Sequence, residues 1–309
     1  YNAALPSEKA AEVSEYLRKK WLAVGGDRYA LDIEMPVQTG GSVVRSVQPD
    51  EDGKYKFGTQ VTLTAVLENA EAACFDRWEA GAPSGHERDN PLTVKVVGDM
   101  TLKPHFRFRW TFTDANKTAI TDGYWTFPVS GPAQQLVLGR PSAKGSRPDI
   151  DFSLGLEGGS ITSTVEGWIC DAGNGIRDYV TEVILPETMT SLGPQALRQC
   201  SKLTKVTLPS RIASIGQGAF YNSPVLTTIL PSTLPETVTF VGSHAFAGCQ
   251  ALHADFVLAN TKCELGGGYD YLYGTFYQSG VRSIDFSKTR VKETPKGFAS
   301  QCPNLICVK

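Results

Sequence analysis

The sequence is poor in the residues and motifs that most often carry catalysis or metal binding. Its 309 residues include four histidines, and none stands in an H-E-x-x-H motif, so the zinc-protease signature is missing. Neither the G-x-S-x-G nucleophile elbow nor the G-x-x-x-x-G-K-[ST] phosphate loop occurs. The seven cysteines contain no C-x-x-C pair, the spacing typical of a zinc knuckle. We therefore predict no catalytic residue, no metal site and no cofactor.

The chain also lacks a large excess of positive or negative charge. The chain has 30 Lys and Arg against 32 Asp and Glu, a formal net charge of −2, and its longest basic cluster is Arg18-Lys19-Lys20. A nucleic-acid-binding domain needs a concentrated basic face, so we expect no nucleic-acid partner. No apolar run reaches the roughly 18 residues that a membrane-spanning helix requires, so we expect no membrane span.

An internal repeat fills the C-terminal part of the chain. The pairs Leu185-Pro186, Leu208-Pro209 and Leu234-Pro235 are each followed, at one constant spacing, by a large apolar residue: Leu197, Phe220 and Phe246. Phe286 and Phe298 have the same spacing, whereas Leu258 and Phe276 are separated by six more residues. A fixed offset repeated along a chain is the signature of a solenoid, in which each unit buries its apolar side against the next.

One repeat unit predicts a short strand, a turn at proline and a compact turn that carries Ala-Phe. Proline ends the strand because it cannot donate a ladder hydrogen bond. In the unit of residues 203–220 the side chains expected to point inward are Leu203, Val206, Leu208, Ile212, Ile215, Ala219 and Phe220.

Small, weakly polar residues occupy one further position of the repeat: Cys200, Ser223, Cys249 and Ser279. Strands of neighbouring coils lie about 4.8 Å apart, which places Cys200 and Cys249, two coils apart, at about 10 Å. A disulfide needs Cα atoms within about 7 Å. We therefore expect these cysteines to be buried free thiols.

The repeat pattern closely resembles the BspA-like leucine-rich repeats of bacterial surface proteins. The match is carried by L-T-K-V-T-L-P at 203–209 and I-G-Q-G-A-F at 215–220. The resemblance implies a leucine-rich-repeat solenoid of about five coils with short helical or 3-10 turns over residues 180–309. It also implies an exported protein, secreted or at the cell surface, that adheres to a protein or glycan partner, host-derived partners included.

Residues 39–107 predict a small β-rich module. Residues 61–66 and 92–96 alternate apolar and polar side chains with the period of a strand, and Asp50-Glu51-Asp52-Gly53 is typical of a hairpin turn. The order of motifs is similar to a divergent internalin-type B-repeat, an extracellular module of bacterial surface proteins. Trp78 is expected to anchor the core; the alternative is a platform for a ligand.

The sequence thus predicts a mainly β protein with four segments: residues 1–30, 31–107, 108–179 and 180–309. The first contains an expected helix over residues 6–24, with an apolar stripe of Val13, Leu17 and Trp21. The third contains apolar strand-like stretches and proline turns, and we interpret it as a β-rich junction that caps the first coil.

The inserted six residues of the fourth unit are the candidate binding element. They lie in a stretch that is flanked by glycines and contains Tyr269, Tyr271 and Tyr273, here called the tyrosine segment. Tyrosine offers a large contact area with few rotors to order, which suits recognition. The alternative is that these rings pack back on the coil and shield it.

Two other functions remain open. One is a glycan-active enzyme with its site in residues 108–179, where Asp149 and Asp151 lie close together without an identified partner. The other is a structural protein of an envelope assembly. We further expect His244 to be a solvated surface histidine, and residues 305–309 to begin a strand whose open edge allows weak self-association.

Overall fold

The computed structural model describes residues 27–35, 41–67, 73–143, 148–173, 175–266, 274–289 and 293–309. The chain divides into two compact units, Tyr1–Arg107 and Phe108–Lys309. The helix expected over residues 6–24 lies outside the described residues. Within the described residues, no helix is long and apolar enough to cross a membrane.

The first unit is built from two small sheets. One has the strand order β3-β1-β7-β5 and the other β2-β4-β6. The strands are β1 (Arg28–Ile33), β2 (Gly41–Arg45), β3 (Lys54–Lys56), β4 (Gln60–Leu67), β5 (Ala73–Ala80), β6 (Leu92–Lys95) and β7 (Met100–Phe108).

Local sequence signals place these strands as expected. The alternating stretch at residues 61–66 lies in β4, whose inward side chains are buried. Asp50 forms the predicted turn: its backbone N–H donates to the carbonyl of Lys54, and Gly53 has a φ of 76° that favours glycine. Trp78 is a core residue, 1% exposed, and its Nε1 donates to the carbonyl of Asp89 at 2.9 Å.

The second unit continues with short strands and one 3-10 helix, Ile176–Asp178. Its strands before that helix are β8 (Thr111–Phe112), β9 (Ala119–Thr121), β10 (Trp125–Ser130), β11 (Leu136–Leu138), β12 (Ser142–Ala143), β13 (Asp149–Asp151) and β14 (Ile161–Thr164). Those after it are β15 (Glu182–Ile184), β16 (Ser191–Leu192), β17 (Lys205–Thr207), β18 (Ser214–Ile215), β19 (Thr228–Leu230), β20 (Thr233–Leu234), β21 (Phe240–Val241), β22 (Asp255–Leu258), β23 (Glu264–Leu265), β24 (Ser283–Asp285) and β25 (Cys307–Val308).

Parallel ladders join the coils of this solenoid. One runs β13-β15-β17-β19, a second runs β20-β22-β24-β25, and a third contains β14-β16-β18-β21-β23. The first coil, with β13 and β14, therefore lies inside residues 108–179, the segment that the sequence analysis interprets as a cap. The antiparallel strands β8 to β11 extend the third ladder from β14, to which β11 pairs in parallel.

The core of the second unit confirms the inward positions of the repeat. All seven side chains expected to point inward in residues 203–220 are buried, each at most 2% exposed. Phe220, Phe246 and Phe276 form a column, with ring centroids 5.3 and 5.4 Å apart and nearly parallel planes. Stacking of this kind adds to the hydrophobic stabilisation of each coil by the next.

The last coil is shifted by one residue from the expected register. The backbone N–H of Phe246 donates to the carbonyl of Thr275, and in the next pair of coils Phe276 donates to Phe298. Phe298 therefore corresponds to Thr275, and Ala299 takes the aromatic position. The equal spacing of Phe286 and Phe298 was misleading because the aromatic position of this coil lies one residue further on, at Ala299.

Candidate functional site

The tyrosine segment, with Tyr269, Tyr271 and Tyr273, lies outside the described residues. The residues on either side of it are held tightly against neighbouring coils. Gly266 donates its backbone N–H to the carbonyl of Val241 at 2.7 Å, and a Cβ at Gly266 or Gly274 would approach backbone atoms to 2.2 or 2.0 Å. Gly266 and Gly274, on either side of the tyrosine segment, thus occupy positions that only glycine fits.

Residues 108–179 contribute to a cleft of about 410 Å³ that holds two carboxylates, Glu157 and Glu187. Both have partners: Glu157 pairs with Arg109 at 3.4 Å, and Glu187 accepts hydrogen bonds from the backbone N–H and the hydroxyl of Ser210. These contacts are one ion pair and two hydrogen bonds at the exposed surface of the cleft.

Asp149 and Asp151 belong to β13 rather than to a loop. Each backbone carbonyl accepts the indole N–H of a buried tryptophan, that of Trp125 on Asp149 at 2.8 Å and that of Trp110 on Asp151 at 2.6 Å. The Asp151 side chain is buried and accepts the backbone N–H of Ser153 at 2.7 Å. No group of three or more His, Cys, Asp or Glu side chains that could hold a metal ion occurs within the described ranges.

The cysteine position forms a hydrogen-bonded ladder. The Ser223 hydroxyl donates to the carbonyl of Leu197 at 2.9 Å, the Cys249 thiol to that of Phe220 at 3.1 Å, and the Cys302 thiol to that of Phe276 at 2.8 Å. All seven cysteines are unpaired. Burial raises the pKa of Cys249 to about 12 and that of Cys263 to about 11, so these thiols are protonated and unreactive at neutral pH.

The residues after the second strand form a third side of each coil, and the candidate binding surface lies on this side. Backbone N–H groups of one coil donate to carbonyls of the next at alternate residues, as from Gln195 to Gln217 at 2.8 Å and from Gly218 to Ser243 at 2.8 Å. The backbone has a positive φ at the corresponding position of three successive coils: 52° at Gln195, 61° at Gly218 and 58° at His244. Two of these positions therefore carry a side chain where glycine would be less strained.

The alternation of side chain and glycine leaves a depression, here called the notch. Gly218 has no side chain between Gln195 and His244, so a space of about 220 Å³ opens there. The notch is lined by Gln195, Arg198, Gln217, Gly218, Tyr221 and His244. None of these lining residues is acidic.

Arg198 is the charged group among the described residues that line the notch. Its Nη1 donates to the side-chain carbonyl of Gln195 at 2.7 Å, and its guanidinium lies over the ring of Tyr221, 5.7 Å from the centroid. Its Nε is buried without a hydrogen-bond partner. Among the residues that the structure describes, no carboxylate forms an ion pair with this guanidinium, whereas Arg140 and Arg282 elsewhere on the solenoid each pair with an aspartate.

His244 is half-buried, which corrects the expectation of a solvated surface histidine. Its ring meets Tyr221 edge-on, with centroids 5.8 Å apart. Burial lowers the pKa of His244, so the imidazole is neutral at pH 7 and has one donor and one acceptor nitrogen. No single repeat reveals the notch, because its walls come from three coils and its floor depends on a glycine.

Comparison with known proteins agrees with this architecture. Residues 177–305 match the family model of the BspA type leucine rich repeat region in six copies, one more than the five coils expected. The match does not extend to residues 39–107, whose similarity to a B-repeat stays a prediction. No curated protein matches the chain.

Several solved structures are similar to the chain. A leucine-rich repeat protein of T. pallidum is 19% identical, with 63% of this chain and 80% of that chain covered and a TM-score of 0.49. One from Bacteroides ovatus is 21% identical, covering 60% and 51%, with a TM-score of 0.38. A leucine-rich cell surface protein of Faecalibacterium prausnitzii is 15% identical, covering 62% and 76%, with a TM-score of 0.23. Together, the six matched repeats and the parallel ladders make residues 177–305 a BspA-type leucine-rich repeat region.

Proposed function

We propose that this protein is an extracellular or cell-surface binding protein that recognises a protein or glycan partner through the surface of its solenoid. The observation that carries the proposal is a contrast between two kinds of position in the coils. At some positions the residue type recurs from coil to coil, and at others it changes. Buried positions repeat the same residue types, whereas Gln195, Gly218 and His244 occupy equivalent backbone sites with different side chains. Such a scaffold changes its ligand by surface substitution alone.

A binding role also agrees with the chemistry of the described residues. The buried thiols are protonated, and the acids of the cleft near Glu157 and Glu187 are held by partners. What remains exposed on the third side is a set of amide, phenol, imidazole and guanidinium groups. These groups can form hydrogen bonds across an interface with a partner.

The test is capture of partners by the purified chain from a panel of immobilised extracellular matrix proteins and glycans. A matched variant, Phe220→Ser, disrupts the solenoid core and serves as the control. We expect at least one partner to be retained by the natural chain and lost with the variant. A chain that retains no partner, or retains the same ones after the solenoid is disrupted, would contradict the proposal.

Export to the cell surface is part of the same proposal. It is tested by antibody labelling of intact cells of the source organism, with and without brief protease treatment of the cell surface. Surface labelling that the protease removes is the expected result. Signal that appears only after the cells are broken would contradict it.

A further inference from the structure

The notch contains an unbalanced charge. Arg198 is half-buried and has no carboxylate partner among the described residues, and the other described residues that line the notch are neutral. A partly buried charge is stabilised when an opposite charge approaches it, and the exclusion of water strengthens that attraction. The complementary ligand group is therefore an anion.

The guanidinium is also held in a fixed orientation before any ligand arrives. Gln195 accepts a hydrogen bond from Nη1, and the Tyr221 ring supports the plane of the group. Because Nε is buried, a carboxylate can approach this guanidinium through its two terminal amino groups, whose donors match the two carboxylate oxygens. Ordering these groups in advance reduces the entropy that binding must overcome.

The remaining lining suits hydroxyl groups. The amides of Gln195 and Gln217 and the phenol of Tyr221 carry donors and acceptors without charge. The volume of about 220 Å³ corresponds to roughly seven water molecules at ~30 Å³ each. That space is larger than the carboxylate of an aspartate or glutamate needs, and it accommodates one sugar ring.

We propose that the notch binds a carboxylated monosaccharide, such as a uronic or sialic acid residue of a glycan, with its carboxylate on Arg198 and its hydroxyls on the surrounding neutral side chains. This inference rests on the proposed binding function and names the ligand class of one of its surfaces. Gly218 is the specificity-determining residue, because a long side chain there would enter the notch.

Binding is measured with the purified 309-residue chain and free sugars, by ligand-observed nuclear magnetic resonance and by the shift of the His244 ring protons. Glucuronic acid and N-acetylneuraminic acid are the expected ligands. Glucose lacks the carboxylate, and glutamate presents a carboxylate without a sugar ring. We expect binding of an acidic sugar, no measurable binding of glucose, and at least tenfold weaker binding of glutamate.

Two variants remove the site in different ways. Arg198→Gln removes the charge and keeps most of the side-chain length, and a charge-assisted hydrogen bond of about 1.5–3 kcal/mol corresponds to a loss of roughly tenfold to a hundredfold in affinity. Gly218→Gln keeps Arg198 but fills the notch with a residue type that the same backbone position already carries at Gln195. Arg211→Gln, on an exposed turn of the same coil, is the matched charge control.

The proposal is overturned if no acidic sugar binds, if both notch variants bind as well as the natural chain, or if Arg211→Gln weakens binding as much as Arg198→Gln. Glutamate binding as tightly as the acidic sugar would also overturn it and would point to a peptide carboxylate. These outcomes are separable from the proposed function: a chain that binds no acidic sugar but still captures its partners refutes the notch and leaves the binding role intact.

Discussion

Truncation of Phe220 to alanine tests the repeat core directly. Phe220 is fully buried in the third coil, and its ring stacks on Phe246 with centroids 5.3 Å apart and planes 8° from parallel. The substitution leaves the backbone hydrogen bond from Phe220 to the carbonyl of Ala245 in place. Any effect therefore comes from the lost ring and the cavity that it leaves.

The expected cost follows from two contributions. Truncating a core phenylalanine to alanine costs about 3–5 kcal/mol, because transfer free energy is lost and the cavity collapses only partly. Loss of the stacked pair adds about 0.5–1.5 kcal/mol beyond the buried area. The Phe246 column on one side and Leu197 on the other are held by inter-coil hydrogen bonds, so the site relaxes little. We expect a loss of about 4–5 kcal/mol in the free energy of unfolding.

The measurement is urea unfolding followed by tryptophan fluorescence, since Trp110, Trp125 and Trp168 lie in the same core. Phe240→Ala is the matched control: Phe240 is the same residue type in the next coil but is 39% exposed, and its loss should cost less than about 1 kcal/mol. A cost below about 1 kcal/mol for Phe220→Ala, or equal costs for the two variants, would refute the assigned core.

Three further predictions concern the thiols, the last strand and the tyrosine segment. Cys200 and Cys249 should resist alkylation at pH 8 in the folded chain and react after unfolding, because burial raises the pKa of both thiols; mass spectrometry gives the extent, and a Cys200–Cys249 disulfide would contradict the coil assignment. β25 pairs only with β24 among the described strands, and Ile306 beside it is 85% exposed. Ile306→Lys should therefore reduce the weak self-association expected of this chain. Scattering that shows a monomer at high concentration for both the natural chain and the variant would count against this prediction. Replacing the three tyrosines of the tyrosine segment by serine should lower partner retention without changing the melting temperature; if the melting temperature falls by many degrees and retention follows folding, the segment is structural.

Local apolar spacing was sufficient to predict the central coils. Leu203, Val206 and Phe220 were identified as core residues because the same offsets recur in three units, and recurrence is how a stacked core appears in a sequence. The alternation at residues 61–66 gave β4 for an equally local reason, since the side-chain period of a strand is two residues.

The first and last coils depart from the repeat pattern, so the spacing of apolar residues did not locate their register. The first coil carries Trp168-Ile169 where other coils carry Ala followed by a large apolar residue, and no Leu-Pro pair precedes it. The hydrogen bond from Ile169 to the carbonyl of Ala196 is what assigns its register. In the last coil, Ala299 takes a position that large apolar residues fill elsewhere, so spacing between aromatics could not locate it.

The notch could not be predicted from one repeat, and the reason explains how such a solenoid acquires a site. The inter-coil hydrogen bonds hold a positive φ at Gln195, Gly218 and His244 whatever residue stands there. The backbone strain of a side chain at these positions, of order 1–3 kcal/mol, is borne by a core that repeats on both sides. A side chain can therefore be added or removed at the surface without changing the coil beneath it. Replacing a glycine at one of these positions closes a depression and replacing a side chain by glycine opens one, so the ligand surface can change while the core sequence stays the same.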